Sequence, residues 1–139
     1  MPKTRETKRE DDPSKPLAPV SWGELFDKIS ILEIKAARIK AKPARANVRR
    51  ELEALNAVAA PAKRAGLARL RQKLRKVNEA LWEIEDEIRE KEHRQEFDAR
   101  FVALARSVYQ TNDRRSAIKR EINDLLGSAL VEEKHYARY

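Results

Sequence analysis

Between Val108 and Lys119 the chain reads VYQTNDRRSAIK. Thr111, Asn112, Asp113, Arg114 and Arg115 follow one another where the flanking sequence places Leu, Val and Ile. An arginine turned inward cannot shed its proton, so it needs a carboxylate, an anionic ligand or water. Two outcomes fit that need. In the first, the stretch is a structural polar layer that fixes helix register at some cost in stability. Glu79 is then the nearest carboxylate to Arg115 by register, with Glu83 and Glu33 next. In the second, the layer is an anion pocket. Arg114, Arg115 and Lys119 hold phosphate or carboxylate, Asn78 and Asn112 orient it, and Trp82 and Tyr109 wall it. A structural layer predicts that Arg115→Met leaves stability intact or raised, whereas a pocket loses its ligand.

Other constellations carry less. Glu87 and Glu90, and Glu121 and Asp124, are carboxylate pairs three apart, a spacing that can hold Mg²⁺ on one helix face. Yet Glu87 to Lys91 and Glu90 to Arg94 also have ordinary i,i+4 ion-pair spacing. His93 and His135 have no second His or Cys at ligand spacing, and no serine has a base with an orienting partner. No catalytic residue, no metal ligand and no cofactor is assigned.

Charge is concentrated. Residues 59–76 carry seven basic side chains, Lys63, Arg64, Arg69, Arg71, Lys73, Arg75 and Lys76, and no acidic one. Residues 77–98 carry nine acidic side chains against three basic ones. A basic block beside an acidic block on one helix favours antiparallel pairing of two chains, so a homodimer is the expected partner, or else another protein. Phosphate backbones and anionic membranes respond to such charge too. The basic side chains spread around several helix faces, and no zinc ligands, aromatic platform or helix-turn-helix accompany them, so nucleic acid is disfavoured.

The elements that position these residues are helical. Three Gly and 39% charged side chains favour long, solvated helices over sheet. Residues 1–20, with Pro13, Pro16 and Pro19, predict a disordered polar lead-in, and residues 21–139 a single helical domain. Ser21 and Glu24 form a capping box, and Leu25, Ile29, Leu32, Ala36 and Ile39 predict a helix from Gly23 to Ala41. Pro43 resets the chain into a second helix with Val48, Leu52 and Leu55 on one face. Leu67, Leu70, Leu74, Val77, Leu81, Ile84 and Ile88 form a heptad seam, predicting a third helix from Pro61 to Glu92.

After a reversal near residue 95, Phe97, Phe101, Leu104, Val108, Ile118, Ile122 and Leu125 continue the pattern. The register resumes in phase at Ile118, so the polar stretch lies within one helix, with Thr111 and Arg115 on the seam. Gly127 is placed to end it, and Ser128 to cap a short last helix over ALVEEKHY. The expected fold is all-α: a long antiparallel hairpin with a heptad-like seam, packed by two N-terminal helices and a short C-terminal one. Folding back near residue 95 brings Trp82 to Tyr109, Asn78 to Asn112 and Asp113, and Arg75 to Ser116. There is no cysteine and no apolar run of membrane-spanning length, and the start lacks a secretion signal; a cytoplasmic protein is expected.

Four stretches carry a family resemblance: SWGELFDKISILEIKAARI, ANVRRELEAL, VNEALWEIEDEIREKE and ARSVYQTNDRRSAIKREINDLLGSALVEEKHY. Over about residues 20–136 the chain resembles a small bacterial family catalogued as a domain of unknown function. The resemblance implies a bacterial source, a small helical domain, and a setting in or beside surface-polysaccharide or lipopolysaccharide synthesis, sometimes fused to glycosyltransferase-like domains. It brings no catalytic residues. The expected role is a non-enzymatic helical binding or assembly protein that self-associates. The alternatives are a small anion or phospho-ligand binder, or enzyme, using the polar layer, and a basic adaptor to nucleic acid or membrane.

Overall fold

The computed structural model describes residues 12–139. The lead-in expected over residues 1–11 lies outside them; residues 12–20 are exposed and form neither helix nor strand. Four helices follow: α1 (Trp22–Arg38), α2 (Lys42–Ala59), α3 (Leu67–His93) and α4 (Ala99–Leu126). The described residues contain no strand.

Local chemistry sets each boundary. The Ser21 hydroxyl accepts from the Glu24 N–H at 3.1 Å and starts α1. The reciprocal half of the expected capping box is not made, because the Glu24 carboxylate turns to Lys119 instead. α1 stops at Arg38 rather than Ala41: Ile39 and Ala41 are extended, and Pro43 sits in the first turn of α2. α3 begins at Leu67, not at Pro61. Gly66, at φ +91°, takes a left-handed conformation that a continuing helix cannot contain. α3 then runs 27 residues, about 40 Å at 1.5 Å per residue. The reversal has Gln95 at φ +57°, and the Asp98 carboxylate caps α4 by accepting from the Phe101 N–H at 3.0 Å. α4 is one unbroken helix of 28 residues, so the TNDRR stretch is a polar insertion in a continuous helix.

Gly127, at φ +63°, ends α4 as expected. The short C-terminal helix does not form: residues 128–139 contain no helix. An isolated helix of that length is marginal. The side chains find partners along α4 instead, Glu132 on Lys119 and Glu133 on Arg120. Ser128 caps no second helix; its hydroxyl accepts from the Trp22 N–H at 3.2 Å. The last residues form an extended strap against α4.

α3 and α4 make the antiparallel hairpin, fastened near the turn by Arg100 on Glu87 and Lys91 on Asp98. α1 is the central helix and packs on all three others, whereas α2 packs on α1 alone among the four. The core joins Leu25, Phe26, Ile29, Ala59, Leu67, Leu74 and Ile122. It lies at the end of the hairpin remote from the reversal. No helix among the described residues is long and apolar enough to cross a membrane.

Candidate functional site

Two rows of side chains meet where α1 crosses the hairpin. On α4, Thr111, Arg115, Lys119 and Asn123 recur every four residues and so share a face. On α1, Gly23, Glu24, Asp27 and Ser30 fall within two turns. Asp27 is 1% exposed and occupies the centre. Arg115 grips it bidentately: Nε donates to Oδ1 at 2.9 Å, and a terminal nitrogen donates to Oδ2. Asn78 of α3 donates to Asp27 Oδ1 at 3.0 Å and to the Ser30 hydroxyl at 3.2 Å. Lys119 Nζ is 3.9 Å from Asp27 Oδ2, 2.8 Å from Glu24 and 2.9 Å from Glu132 of the strap. One turn on, Asn123 Oδ1 accepts from the Gly23 N–H at 2.7 Å. The cluster ties α1, α3, α4 and the strap together.

Its electrostatics are self-consistent. Burial pulls the Lys119 pKa down, but hydrogen bonds to Glu24 and Glu132 and the field of Asp27 outweigh this, and it lies above its ordinary value. The hydrogen bond to Asp27 likewise raises Arg115 against desolvation. Both cations therefore stay charged. Asp27 accepts three hydrogen bonds from two residues, and the Arg115 guanidinium covers both of its oxygens, so it anchors the cluster. The cluster has the form of a satisfied buried ionic network.

The strap carries a pH signature. Hydrogen bonds from Lys119 and then Lys134 hold the Glu132 carboxyl below its ordinary range. A depressed pKa stabilises the docked strap above the unfolded value and is lost as pH falls through the lower, docked value. The ¹⁵N order parameters of residues 129–139 are expected to fall only below the ordinary glutamate range in the wild type. Glu132→Gln is expected to show that lower order already at neutral pH. Equal order in the two proteins at neutral pH would mean that Glu132 does not hold the strap.

The residues singled out from sequence divide into three groups. Asn78, Arg115 and Lys119 lie in the cluster. Trp82 lies beside it, with the Arg38 guanidinium 5.6 Å over its ring. With Asn78, Asn112 and Arg115 it lines an open groove of about 400 Å³. Tyr109 belongs to a second groove, which shares Asn112 and Arg115. Glu79 is not the partner of Arg115. It pairs with Arg75 at 2.6 Å, four residues back on its own helix, while the buried Asp27 takes Arg115. Arg114 is exposed and donates to the Thr111 hydroxyl at 3.2 Å, outside the cluster.

Of the basic segment, Arg71 and Arg75 pair with Glu33, and Arg71 also lies 5.0 Å over the Phe26 ring. Lys63, Arg64, Arg69, Lys73 and Lys76 are exposed and carry no ion pair among the described residues. Glu87, one of the carboxylates at metal-like spacing, is gripped through both oxygens by Arg100 at 2.7 and 2.8 Å. Sequence reasoning missed Asp27, Ser30, Glu24 and Glu132. The available signal was Asp27 itself, an acid between Phe26 and Ile29 on a helix with apolar residues on more than one side.

These features define a class: an all-α protein whose long helical hairpin is locked to a central helix by a buried ion cluster. Over residues 18–138 the chain matches the family model described as a family of unknown function (DUF6165), and it belongs to that family. Neither a curated protein nor a solved structure matches it.

Proposed function

We propose that the chain is a non-enzymatic helical binding and assembly module that pairs with a second copy of itself through the free end of the hairpin. The observation that carries this reading is the uncovered arm. α1 ends where Arg38 meets Trp82 and Glu83. Past that level α3 has ten further residues, about 15 Å of helix, accompanied among the described helices only by α4. Seam residues Ile84, Ile88 and Phe101 are half-buried there, whereas Leu74 in the covered part is fully buried. Phe97 and Val102 are 55% and 54% exposed. An apolar edge of this kind marks an interaction surface.

Charge selects the occupant. On the arm Asp86, Glu90 and Glu92 carry no ion pair among the described residues, and the five cations in the same state, Lys63 and Arg64 before α3 and Arg69, Lys73 and Lys76 on its first half, are their complement on another copy. The bidentate pairing of buried Asp27 with Arg115 favours a structural role for the cluster over an enzyme there. A basic adaptor role is weakened because Arg71 and Arg75 are already held by Glu33. An anionic ligand is favoured by the grooves beside Arg115. We further propose a bacterial, cytoplasmic setting near surface-polysaccharide synthesis. The family resemblance and the cysteine-free composition support it. Loss of the gene without any change in surface polysaccharide would remove that setting.

Sedimentation tests the pairing. The wild type is expected to dimerise at tens of micromolar, more weakly at high salt. Phe97→Glu and Val102→Glu are expected to be monomeric; Val102→Glu keeps the melting temperature, whereas Phe97→Glu also loses an edge-to-face contact with Phe101, 5.2 Å between ring centroids, and melts slightly lower. A wild type that stays monomeric at these concentrations, or glutamate variants that still dimerise, would sink the reading.

A further inference from the structure

The strap borders a half-open groove beside the ion cluster. Residues 129–139 are fixed at both ends. Near the start, Glu132 lies on Lys119 and Glu133 on Arg120. At the end, the Tyr139 ring lies 4.7 Å from that of Tyr109, and its hydroxyl donates to Asp113. Between these anchors the strap spans a groove on α4 of about 1050 Å³. That matches the upper range for small-molecule sites.

The lining combines two chemistries. Arg115, Lys134 and Arg138 supply positive charge, and Asn112 and Ser116 supply neutral hydrogen-bonding groups. Asp113, the lone acidic side chain in the lining, is occupied by the Tyr139 hydroxyl. Arg138 has no ion-pair partner among the described residues. Arg115 holds Asp27 with Nε and one terminal nitrogen; its other terminal nitrogen makes only a 3.4 Å bond to Asn112. That edge remains available to a ligand. Tyr109, Tyr136 and Tyr139 add three rings, and those of Tyr136 and Tyr139 are 73% and 77% exposed. A strap serving only as a staple would bury such rings against the core. Lys134 pairs with Glu132 at 3.2 Å, so the charge offered to a ligand is Arg138, the outer edge of Arg115 and the shared lysine. Exposed rings beside these groups suit a molecule with one flat end and one multiply charged end. The family match runs to residue 138, so the strap is part of the shared module.

We propose that this groove binds a ligand of the nucleoside diphosphate class. The diphosphate lies among Arg115, Lys134 and Arg138, and the base stacks on Tyr136 and Tyr139. The proposal stands independently of self-association, since the groove lies on α4 away from Phe97 and Val102.

Calorimetric titration of the full chain tests it with four probes: uridine diphosphate, adenosine diphosphate, inorganic pyrophosphate and uridine. At least one diphosphate is expected to bind about tenfold or more tighter than pyrophosphate, which lacks the ring, and than uridine, which lacks the charge. Arg138→Ala and Tyr136→Ala are each expected to weaken that binding about tenfold. Both residues are exposed, so the ligand-free melting temperature is expected to stay constant, which separates a lost contact from a lost fold. The same affinity is expected in Phe97→Glu, whatever its oligomeric state. The proposal is overturned if neither diphosphate binds at millimolar concentration. It is equally overturned if pyrophosphate binds as tightly as both, or if Arg138→Ala and Tyr136→Ala bind like the wild type.

Discussion

Asp27→Ala is expected to lower the unfolding free energy by about 3–5 kcal/mol, the range for breaking a buried ion pair by removing one partner. Domains of this size are stable by about 5–15 kcal/mol, so the loss is a large share of the total. The reason is geometric. Asp27 is 1% exposed and collects donors from α3 and α4 at once. Without it, Arg115 keeps only its 3.4 Å bond to Asn112 and Asn78 only its bond to Ser30, and the guanidinium is left without a counter-charge at the helix interface. Lys119 keeps Glu24 and Glu132 and suffers less.

The companion replacement corrects the expectation drawn from sequence for Arg115→Met. With a buried carboxylate beneath position 115, methionine strands Asp27 with Asn78 and a lysine 3.9 Å away, and stability falls. Replacing both partners, Asp27→Leu with Arg115→Met, is expected to recover most of the loss, because a well-packed apolar pair often matches a buried ion pair. Urea denaturation of the four proteins measures this. A shift below about 1 kcal/mol for Asp27→Ala, within the range of an ordinary surface change, would show that the cluster does not hold the helices together.

The hairpin was legible because its signal is local and repetitive. Seven apolar residues from Leu67 to Ile88 keep the heptad, and the in-phase return at Ile118 marks the TNDRR stretch as helix. The partner of Arg115 was not legible for a reason of topology. Leu25, Ile29 and Leu32 read as the single apolar face of a covering helix. α1 is instead the central helix, and Gly23, Asp27 and Ser30 form a second interior row against α3 and α4. Register within the hairpin then pointed to Glu79. It could not register that Arg75 lies within easier reach of Glu79 on the same helix.

Composition also misled at the C-terminus. ALVEEKHY has helical residues, but a helix that short is marginal on its own, and Glu132 lies on the buried Lys119 instead. Pro61 drew the start of α3 too early, because Gly66, five residues on, carries the left-handed turn.

Gly23→Ala is expected to destabilise the protein by about 2–3 kcal/mol, near the upper end of the cost of overpacking. A Cβ at position 23 would lie 2.4 Å from the carbonyl oxygen of Lys119, 2.9 Å from its carbon and 3.0 Å from Asn123 Oδ1. Two of these atoms are backbone of a long helix, so no flexible side chain can swing away. α1 and α4 must separate, and the 2.7 Å bond from the Gly23 N–H to Asn123 lengthens or breaks, a further loss of about 1 kcal/mol. The better helix propensity of alanine offsets up to about 1 kcal/mol, so the net remains a loss.

Gly127→Ala is the control. Nothing lies within 4 Å of its added Cβ, and only the left-handed φ of +63° opposes it, at about 1–2 kcal/mol. The two variants therefore share a chemistry and differ in cause. The difference has a functional readout. Moving α4 at Lys119 loosens its grip on Glu132, so Gly23→Ala is expected to lower the ¹⁵N order parameters of residues 129–139 as well as the melting temperature. A Gly23→Ala protein as stable as the wild type, with its strap equally ordered, would mean that the close crossing of α1 and α4 is not what seats the strap.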